Sequence, residues 1–452
     1  MVMGRRQPKQ QELFLAAHDL PEPPGHPFYQ KLNTILDGAG FDRYVEDLCQ
    51  PHYDSVWGRP SVPPGIYFRM LFIGYFEGIG SQRGIAWRCS DSRSLQAFLG
   101  YLPSETTPDH SSLTNTRQRL PLVVHENVFA HVLELAAARG LIVGKTVGVD
   151  ATTLEANAAM KSLERRETGE DYKTWLRRLM AAEGMDNPTD EEMRRFDKKR
   201  KGKTMSNEDW QSPTDPDAEI TKMKDGTTHL AYKAEHVVDL ETELVLAAEI
   251  YPATQADSAT VGPSVLSAEV NLARADSEAV IEEVATDKGY HKLETVADFT
   301  QADYRTYIPE PQQAHEHTWS DKPEGQERAY RNNRRRTRGP RGKRLQKLRS
   351  ERVERSFAHV CETGGGRRTW LRGLANVSKR YLLQVAAHNL GIVMRKLFGV
   401  GTPRSLQGSA RACAAFFAGV VAWIGRLLLS KPLDRIDNLF HSRHSITKSR
   451  FA

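Results

Sequence analysis

Cysteine is scarce in this sequence, and the few cysteines are not arranged for any common use. The 452 residues contain four, with no pair separated by two residues and no histidine at the spacing of a zinc ligand. Neither a disulfide framework nor a structural zinc site is indicated, and a reducing compartment fits this composition. The four are Cys49, Cys89, Cys361 and Cys413.

Long hydrophobic runs are also missing. An apolar stretch near the C-terminus, residues 412–425, has 14 residues, short of the roughly 20 that span a bilayer. The first residues, MVMGRRQPKQQELF, lack the apolar segment of a signal peptide. We therefore expect no membrane segment and no export, and we interpret residues 412–425 as a buried or partner-facing helix that could support oligomerisation.

Acidic residues are nearly absent from one long segment. Between Arg328 and Arg352 the sequence holds about a dozen lysines and arginines against one acid, Glu351, although the formal net charge of the whole chain is only +6. Gly-Pro and Gly interruptions keep this basic run from forming one helix. A run of this density is typical of contact with a polyanion, and phosphate contacts give affinity without sequence information. The alternative is a solvated charged surface.

The rest of the composition is that of a globular protein. Hydrophobic residues make up 39% of the chain and charged residues 27%, and the length suggests about two or three domains. We predict a mobile N-terminal arm (1–27), a helical domain (28–140), an α/β domain (141–400) and a C-terminal helix and tail (401–452).

The segment 28–140 has the periodicity of helices. Two prolines precede an apolar helix that stops at Gly78, and a second segment begins at Ser81 after a short turn, as in a helix-turn-helix pair. Two interpretations remain open: a DNA-binding module whose arginines contact phosphates, or a bundle with solvated arginines. The predicted caps of a third helix are Ser111, Ser112 and Thr114, and the arginines concerned are Arg83, Arg88, Arg117 and Arg119.

Strands alternate with helices from residue 141 onwards. A short buried strand, 147–149, leads to Asp150, and a second strand, 279–286, leads to Asp287. This order predicts an open mixed sheet with helices on its faces, in which the two aspartates end neighbouring strands. The other predicted segments are a hairpin (229–239 and 243–251), helices at 257–273 and 293–299, a strand at 305–309, and a polar insertion at about 160–226 read as a helix followed by a mobile loop.

A predicted helix over residues 343–361 carries two further acids. At 100° per residue, Glu354 lies at the border of the apolar stripe, whereas Glu351 lies towards Arg355. A carboxylate at the edge of a buried stripe can point into a crevice, but one among arginines forms solvated ion pairs. We therefore predict that Glu354, rather than Glu351, is the partner of the two aspartates.

Three carboxylates without cysteine or clustered histidine indicate Mg²⁺ or Mn²⁺ rather than zinc. Two such ions, about 3.5–4 Å apart, can activate a water or a 3′-hydroxyl and stabilise the leaving oxygen of a phosphodiester. The basic run supplies a way to hold DNA. We predict two ions per active site, bound by Asp150, Asp287 and Glu354.

These residues together carry a family resemblance. Asp150 in GVDATTLEANA, Asp287 in ATDKGYHK and Glu354 in RSERVERSFAHV resemble the DDE signature of bacterial insertion-sequence transposases, in the superfamily that contains the IS-four and IS-five types. YFRMLFIGYFEGIGSQRGIAWRCSDS and PDHSSLTNTRQRL resemble the helical N-terminal domain of that group, so the resemblance covers about residues 28–400. Some relatives also place a Tyr, an Arg and a Lys around the glutamate, whereas positions 350 and 361 are serine and cysteine here.

The resemblance implies an RNase H-like fold, with a mixed five-stranded sheet and flanking helices, preceded by an all-helical DNA-binding domain. It implies Mg²⁺-dependent cleavage at the terminal inverted repeats of the element and strand transfer, with Asp150, Asp287 and Glu354 as catalytic metal ligands. The expected partners are double-stranded DNA, at the element ends and the target, and further copies of the chain in a homodimer or higher oligomer in the bacterial cytoplasm, at the nucleoid. The residues expected to contact DNA are Lys288, Tyr290, Arg334, Arg335, Arg336, Arg338, Arg341, Lys343, Arg344, Arg355, Arg117 and Arg119.

Two alternatives remain. One is a transposase-derived DNA-binding protein that no longer cuts, which the intact set of three acids disfavours. The other is a nuclease of the same fold, which would hydrolyse DNA without joining it.

Overall fold

The computed structural model describes residues 25–54, 58, 61–201, 205–223, 226–312 and 318–406. The chain divides into two units, Met1–Gly401 and Thr402–Ala452. The predictions for the N-terminal arm up to residue 24 and for the apolar stretch 412–425 lie outside the described residues.

The described chain before the sheet is helical, as its periodicity predicts. Its helices are α1 (Pro27–Gly38), α2 (Phe41–Cys49), α3 (Pro64–Glu77), α4 (Gln82–Asp91), α5 (Arg93–Phe98), α6 (His110–Arg119) and α7 (Leu122–Ala137). Helix α3 starts at Pro64, where a missing N–H costs nothing, and stops at Gly78, whose φ of 71° favours glycine. The cap of α6 differs from the prediction: Asp109 accepts a hydrogen bond from the Ser112 N–H (3.0 Å), so the three predicted caps lie inside the helix.

The remaining elements alternate strands with helices. In chain order they are β1 (Thr146–Glu155), β2 (Glu164–Arg165), α8 (Tyr172–Ala182), α9 (Asp190–Lys199), β3 (Trp210–Gln211), β4 (Glu219–Lys222), β5 (Thr228–Asp239), β6 (Val245–Pro252), α10 (Asp257–Arg274), β7 (Glu283–Ala285), α11 (Leu293–Gln301), β8 (Arg305–Tyr307), α12 (Gln326–Arg338), α13 (Pro340–Phe357) and α14 (Leu374–Phe398). Short 3₁₀ turns and a π-helical turn at Ala358–Thr363 complete the described chain.

The main sheet is mixed and has the order β6–β5–β1–β7–β8. Strand β5 pairs antiparallel with β1 on one side and with β6 on the other, while β1, β7 and β8 are parallel. Strand β4 pairs with the first residues of β5, so the described sheet has six strands rather than five. The predicted hairpin and the helix at 257–273 are confirmed. Strand β7 is shorter than the predicted strand, 279–286, because residues 279–282 and 286 lie outside it.

Helix α14 is buried along most of its length and packs against both the helices and the sheet. It contacts α3 and α7 as well as β6. Asn389 fixes it to the sheet, since its side chain accepts from the Val245 N–H (3.0 Å) and donates to the Val245 carbonyl (2.8 Å). These two bonds satisfy both backbone groups of a buried strand residue, so helix and sheet hold one position against each other.

The polar insertion between β1 and β5 has a small core of its own. Leu176, Met180 and Met193 from α8 and α9 are buried together, and the Arg200 guanidinium lies over the Trp175 ring at 4.8 Å. The prediction of one helix and a mobile loop was therefore incomplete. The core contains few apolar residues, so they do not produce a clear hydrophobic pattern in such a highly charged sequence.

Among the described residues, no single helix is both long and apolar enough to cross a membrane. Helices α6 and α7 reach that length and composition only when taken together, and their axes are bent by 100°.

Candidate active site

Asp150, within β1, and Asp287, just after β7, lie at matching positions of two neighbouring strands. The parallel pairing of β1 with β7 ends at Gly148 and Ala285, and each aspartate follows two residues later. The sequence prediction that the two acids are neighbours agrees with this register. The prediction that β1 ends before Asp150 was wrong, because pairing with β5 continues to Glu155.

Helix α13 crosses this part of the sheet at close range. A Cβ at Gly148 would stand 3.1 Å from Arg349 Cγ and 3.1 Å from Val353 Cγ2, so only glycine leaves room for the helix. Further along α13, the Phe357 ring stacks on His236 at 4.1 Å, and His236 pairs with Asp150 across β1 and β5. Paired residues share a face of a sheet, so the Asp150 side chain faces α13.

The Asp150 carboxylate already has two donors. Its Oδ1 accepts from the Ala151 N–H (2.8 Å), and its Oδ2 accepts from Arg349 Nη1 (2.5 Å). Burial raises the pKa of Asp150, the Arg349 charge opposes that rise, and the Asp287 charge adds to it. The two aspartates therefore interact electrostatically, as a pair of acids in one crevice does.

Asp287 opens a tight turn that is anchored from below. Its Oδ1 accepts from the Gly289 N–H (2.8 Å), which caps the 3₁₀ turn Lys288–Tyr290. The Tyr290 side chain is buried, and its hydroxyl donates to Glu235 Oε2 (2.9 Å). Two hydroxyl groups, of Thr260 and Ser264, also donate to Glu235, at 2.8 and 2.5 Å. Tyr290 thus holds the turn, and the DNA contact expected of it would require the turn to open.

Glu354 lies on the side of α13 that faces the aspartates. Arg352 donates to the Leu240 carbonyl, and the Leu240 N–H bonds to Thr146 at the start of β1. Val353 packs on β1, and successive residues of a helix are rotated by 100° about its axis. The residues before and after Val353 therefore project from opposite sides of α13. Arg352 points to the start of β1, so Glu354 points towards the end of β1.

The two glutamates of α13 have different partners. Glu354 is exposed and accepts from the Ser350 hydroxyl (2.9 Å). Glu351 forms an ion pair with Arg355 (2.5 Å), which also pairs with Glu243 (2.7 Å). The helical-wheel prediction that Glu351 is an ion-pair member among arginines is confirmed.

The three acids are not gathered into one cluster in the described part of the chain. No three His, Cys, Asp or Glu side chains there are grouped closely enough to hold a metal ion. The fold brings Asp150 and Asp287 close enough to interact electrostatically, whereas the Glu354 carboxylate accepts from Ser350 on α13.

Comparison with known protein families finds two matches along the chain. Residues 194–390 match the family described as Transposase DDE domain, and residues 17–119 match Transposase domain (DUF772). The chain belongs to the DDE transposases. The first match includes Asp287 and Glu354 and begins after Asp150. No curated protein and no solved structure matches the chain.

The basic run of this transposase forms α12 and the first part of α13, separated at Gly339. Some of its arginines hold the fold: Arg341 pairs with Glu283 (2.5 Å), and Arg336 donates to the Thr306 carbonyl (3.1 Å). Arg334 is exposed but pairs with Glu310 at 3.5 Å. The exposed members of the run that remain from the predicted set are Arg335, Arg338, Lys343 and Arg344.

The two predicted arginines of α6 have different surroundings. Arg117 is buried, and its Nε and Nη1 have no hydrogen-bond partner among the described residues. Arg119 is exposed, with its guanidinium over the Tyr53 ring at 4.6 Å. Lys288, beside Asp287, is also exposed. Arg119 and Lys288 are therefore available at the surface, whereas Arg117 is enclosed by its neighbours.

Sequence reasoning missed Arg349, whose guanidinium donates to Asp150. A signal was present: Arg349 stands four residues from Leu345 and from Val353, both in the buried stripe of α13. An arginine inside an apolar stripe indicates a buried partner, but eleven other basic residues surround it between Arg328 and Arg352. That composition hid the arginine that contacts Asp150.

Proposed function

We propose that this transposase binds the terminal inverted repeats of its insertion sequence and catalyses Mg²⁺-dependent cleavage and strand transfer. The observation that carries the proposal is the matching position of Asp150 and Asp287, each two residues beyond the last parallel pair of β1 with β7, beneath the helix α13 that carries Glu354. The carboxyl ends of parallel strands are where open α/β sheets place their binding crevices, and the two aspartates lie where the parallel pairing of β1 with β7 ends.

The proposed catalytic fold is RNase H-like. Its support is the strand order, in which an antiparallel β6–β5–β1 segment continues into parallel β7 and β8. Helices α10 and α13 lie against this sheet. In this proposal β4 and the module of α8 and α9 are additions to the five-stranded core.

The donor set fits two hard divalent cations. Asp150, Asp287 and Glu354 offer only carboxylate oxygens, the ligands that Mg²⁺ and Mn²⁺ prefer. The bound ions would supply charge neutralisation and an activated water or 3′-hydroxyl for in-line displacement. Glu354 is exposed, and among the described residues its carboxylate accepts from Ser350, so it would join the aspartates by a change of rotamer that leaves the helix packed.

The protein's own groups keep the acids in place. Tyr290 and Glu235 fix the turn that begins at Asp287. Arg349 compensates the Asp150 charge and opposes the effect of burial on the pKa of that carboxyl. Arg349 thereby favours the ionised carboxylate, which is the form that binds cations.

DNA would lie along the exposed arginines beside this crevice. Arg335, Arg338, Lys343 and Arg344 present a band of charge on α12 and α13, and contact with phosphates needs no base recognition. The helical domain, with Arg119 exposed, would provide a second contact. Arg334, Arg336, Arg341 and Arg355 would join only by exchanging their present carboxylate or carbonyl partners for phosphate oxygens.

The working assembly would contain at least two copies of the chain, because two element ends require two active sites. We place it with the bacterial chromosome in the cytoplasm, where its DNA substrate lies. The domain division proposed from the sequence assigns DNA recognition to 28–140 and chemistry to 141–400.

A strand-transfer assay with the element's own ends tests this function. Asp150→Asn, Asp287→Asn and Glu354→Gln should each abolish Mg²⁺-dependent cleavage and joining, while gel-shift affinity stays within about threefold, because phosphate contacts dominate affinity. Glu351→Gln is the matched control and should stay active. Activity in Glu354→Gln with loss in Glu351→Gln would assign the third ligand to Glu351. Nicking without joining by the wild-type protein would indicate a nuclease, and binding without cleavage a DNA-binding protein.

A further inference from the structure

Arg349 is a buried cation with an incomplete set of partners. Its side chain is 11% exposed, and Nη1 lies 2.5 Å from Asp150 Oδ2. Its Nε is buried with no hydrogen-bond partner among the described residues. A buried guanidinium normally satisfies its donors, because each unpaired donor costs free energy.

Arg69 is a buried arginine of the same protein with more hydrogen-bond partners. Its side chain is 3% exposed, and it makes two bonds to Asp42 (both 2.9 Å), one to Asp37 (2.8 Å) and one to Asn33 (2.5 Å). Arg349 makes one hydrogen bond to a carboxylate, whereas Arg69 makes three, to two carboxylates. The difference indicates that Arg349 is held less firmly and can change partners.

The contact of Arg349 uses an oxygen that a metal would need. Asp150 Oδ1 faces the Ala151 N–H, which belongs to the backbone of β1 and cannot leave. Oδ2 faces Arg349, whose side chain can rotate about several bonds. A divalent cation and a guanidinium on the same carboxylate repel each other, and the repulsion is strong in a partly buried crevice.

We propose that Arg349 and the divalent metal compete for Asp150, so that the DNA-free protein binds metal weakly. The proposal rests on the proposed function, since it takes Asp150 as a metal ligand. A phosphate of bound DNA offers the guanidinium a bidentate acceptor, and arginine is suited to such an acceptor. DNA therefore releases Asp150 and strengthens metal binding, which couples loading of the active site to the presence of substrate.

Mn²⁺ binding, followed by the electron paramagnetic resonance signal of free Mn²⁺, tests the competition without measuring activity. Arg349→Met removes the charge and keeps the length of the stem, and it should bind Mn²⁺ about tenfold more tightly than wild type in the absence of DNA. Arg349→Gln is a second variant in case the first folds poorly. Arg352→Met is the matched control: it removes the same charge from α13 on the side away from Asp150, and its Mn²⁺ affinity should stay near the wild-type value.

Adding a duplex that carries the element's end should tighten Mn²⁺ binding to the wild type and have less effect on Arg349→Met. Tight binding must disappear when Asp150→Asn is combined with either background. If both Arg349 variants bind Mn²⁺ no more tightly than wild type, and that binding still depends on Asp150, then Arg349 does not compete with the metal, and the metal site itself remains supported. If Asp150→Asn leaves Mn²⁺ binding unchanged in every background, Asp150 is not a metal ligand, and the proposed competition is refuted as well.

Discussion

Gly148 sets the distance between β1 and α13, and replacing it by alanine tests how closely the two must approach. The new Cβ would lie 2.7 Å from Leu240 Cδ2 and 3.1 Å from carbons of Arg349 and Val353. Ordinary carbon contacts start near 3.5 Å, so three neighbours must shift by a few tenths of an ångström or more. Overpacking of this kind costs about 1–3 kcal/mol.

The measurement is the free energy of unfolding by urea, together with DNA cleavage by the same preparations. Gly148→Ala should lose about 1–3 kcal/mol and lose cleavage activity beyond what its folded fraction explains, because α13 carries Arg349 and Glu354. Gly38→Ala is the control. Gly38 ends α1, and a Cβ there meets nothing within 4 Å. Alanine at that position should be neutral or stabilising by up to about 1 kcal/mol.

Equal stability of Gly148→Ala and wild type would show that α13 can move away from β1 without cost. Full cleavage activity in a destabilised Gly148→Ala protein would separate the packing of α13 from the chemistry. Either result would refute the claim that this glycine positions the active-site helix.

Two further predictions concern buried polar groups. Burial lowers the pKa of His236 to about 3, so between pH 7 and pH 5 only the unfolded state takes up this proton, and the free energy of unfolding should fall by about 2 kcal/mol on acidification. Urea unfolding of wild type and of His236→Phe at the two pH values measures this loss, which should be missing from the variant. The same pH dependence in both proteins would contradict a buried neutral ring. Asn389→Ala should lower the free energy of unfolding by about 2–4 kcal/mol, because two backbone groups of Val245 lose their partner. The control is Asn376→Ala on the same helix, whose side chain donates to an exposed carbonyl. It should change the free energy of unfolding by less than about 0.5 kcal/mol.

The order of elements was enough to predict the acid pair. A strand that leads to Asp150 and a later strand that leads to Asp287 become neighbours in a mixed sheet, and the structure has this register. The choice between Glu351 and Glu354 used only the angle around a helix, and the Glu351–Arg355 ion pair agrees with it. Local periodicity carries this information because a helix turns by the same angle wherever it lies.

Long-range contacts account for what the sequence did not predict. Strand β1 extends to Glu155 because β5 supplies a partner from residues far along the chain. Tyr290 and Arg117 were expected at the DNA surface, and both are buried by elements distant in sequence. Arg349 contacts Asp150 because α13 lies directly over Gly148 of β1, a contact between residues 199 positions apart in the chain.

The ends of the insertion are held side by side. Ala156, where the chain leaves β1, bonds to Leu230 on the strand by which the chain returns, and β1 and β5 are paired neighbours. The module of α8 and α9 within this stretch can therefore change length or content while the strands carrying Asp150 and His236 keep their paths, whereas β4 belongs to the sheet because it pairs with β5. This is a position where a transposase can gain or exchange a module in evolution, and where a reporter domain could be grafted next to the active site without cutting the sheet.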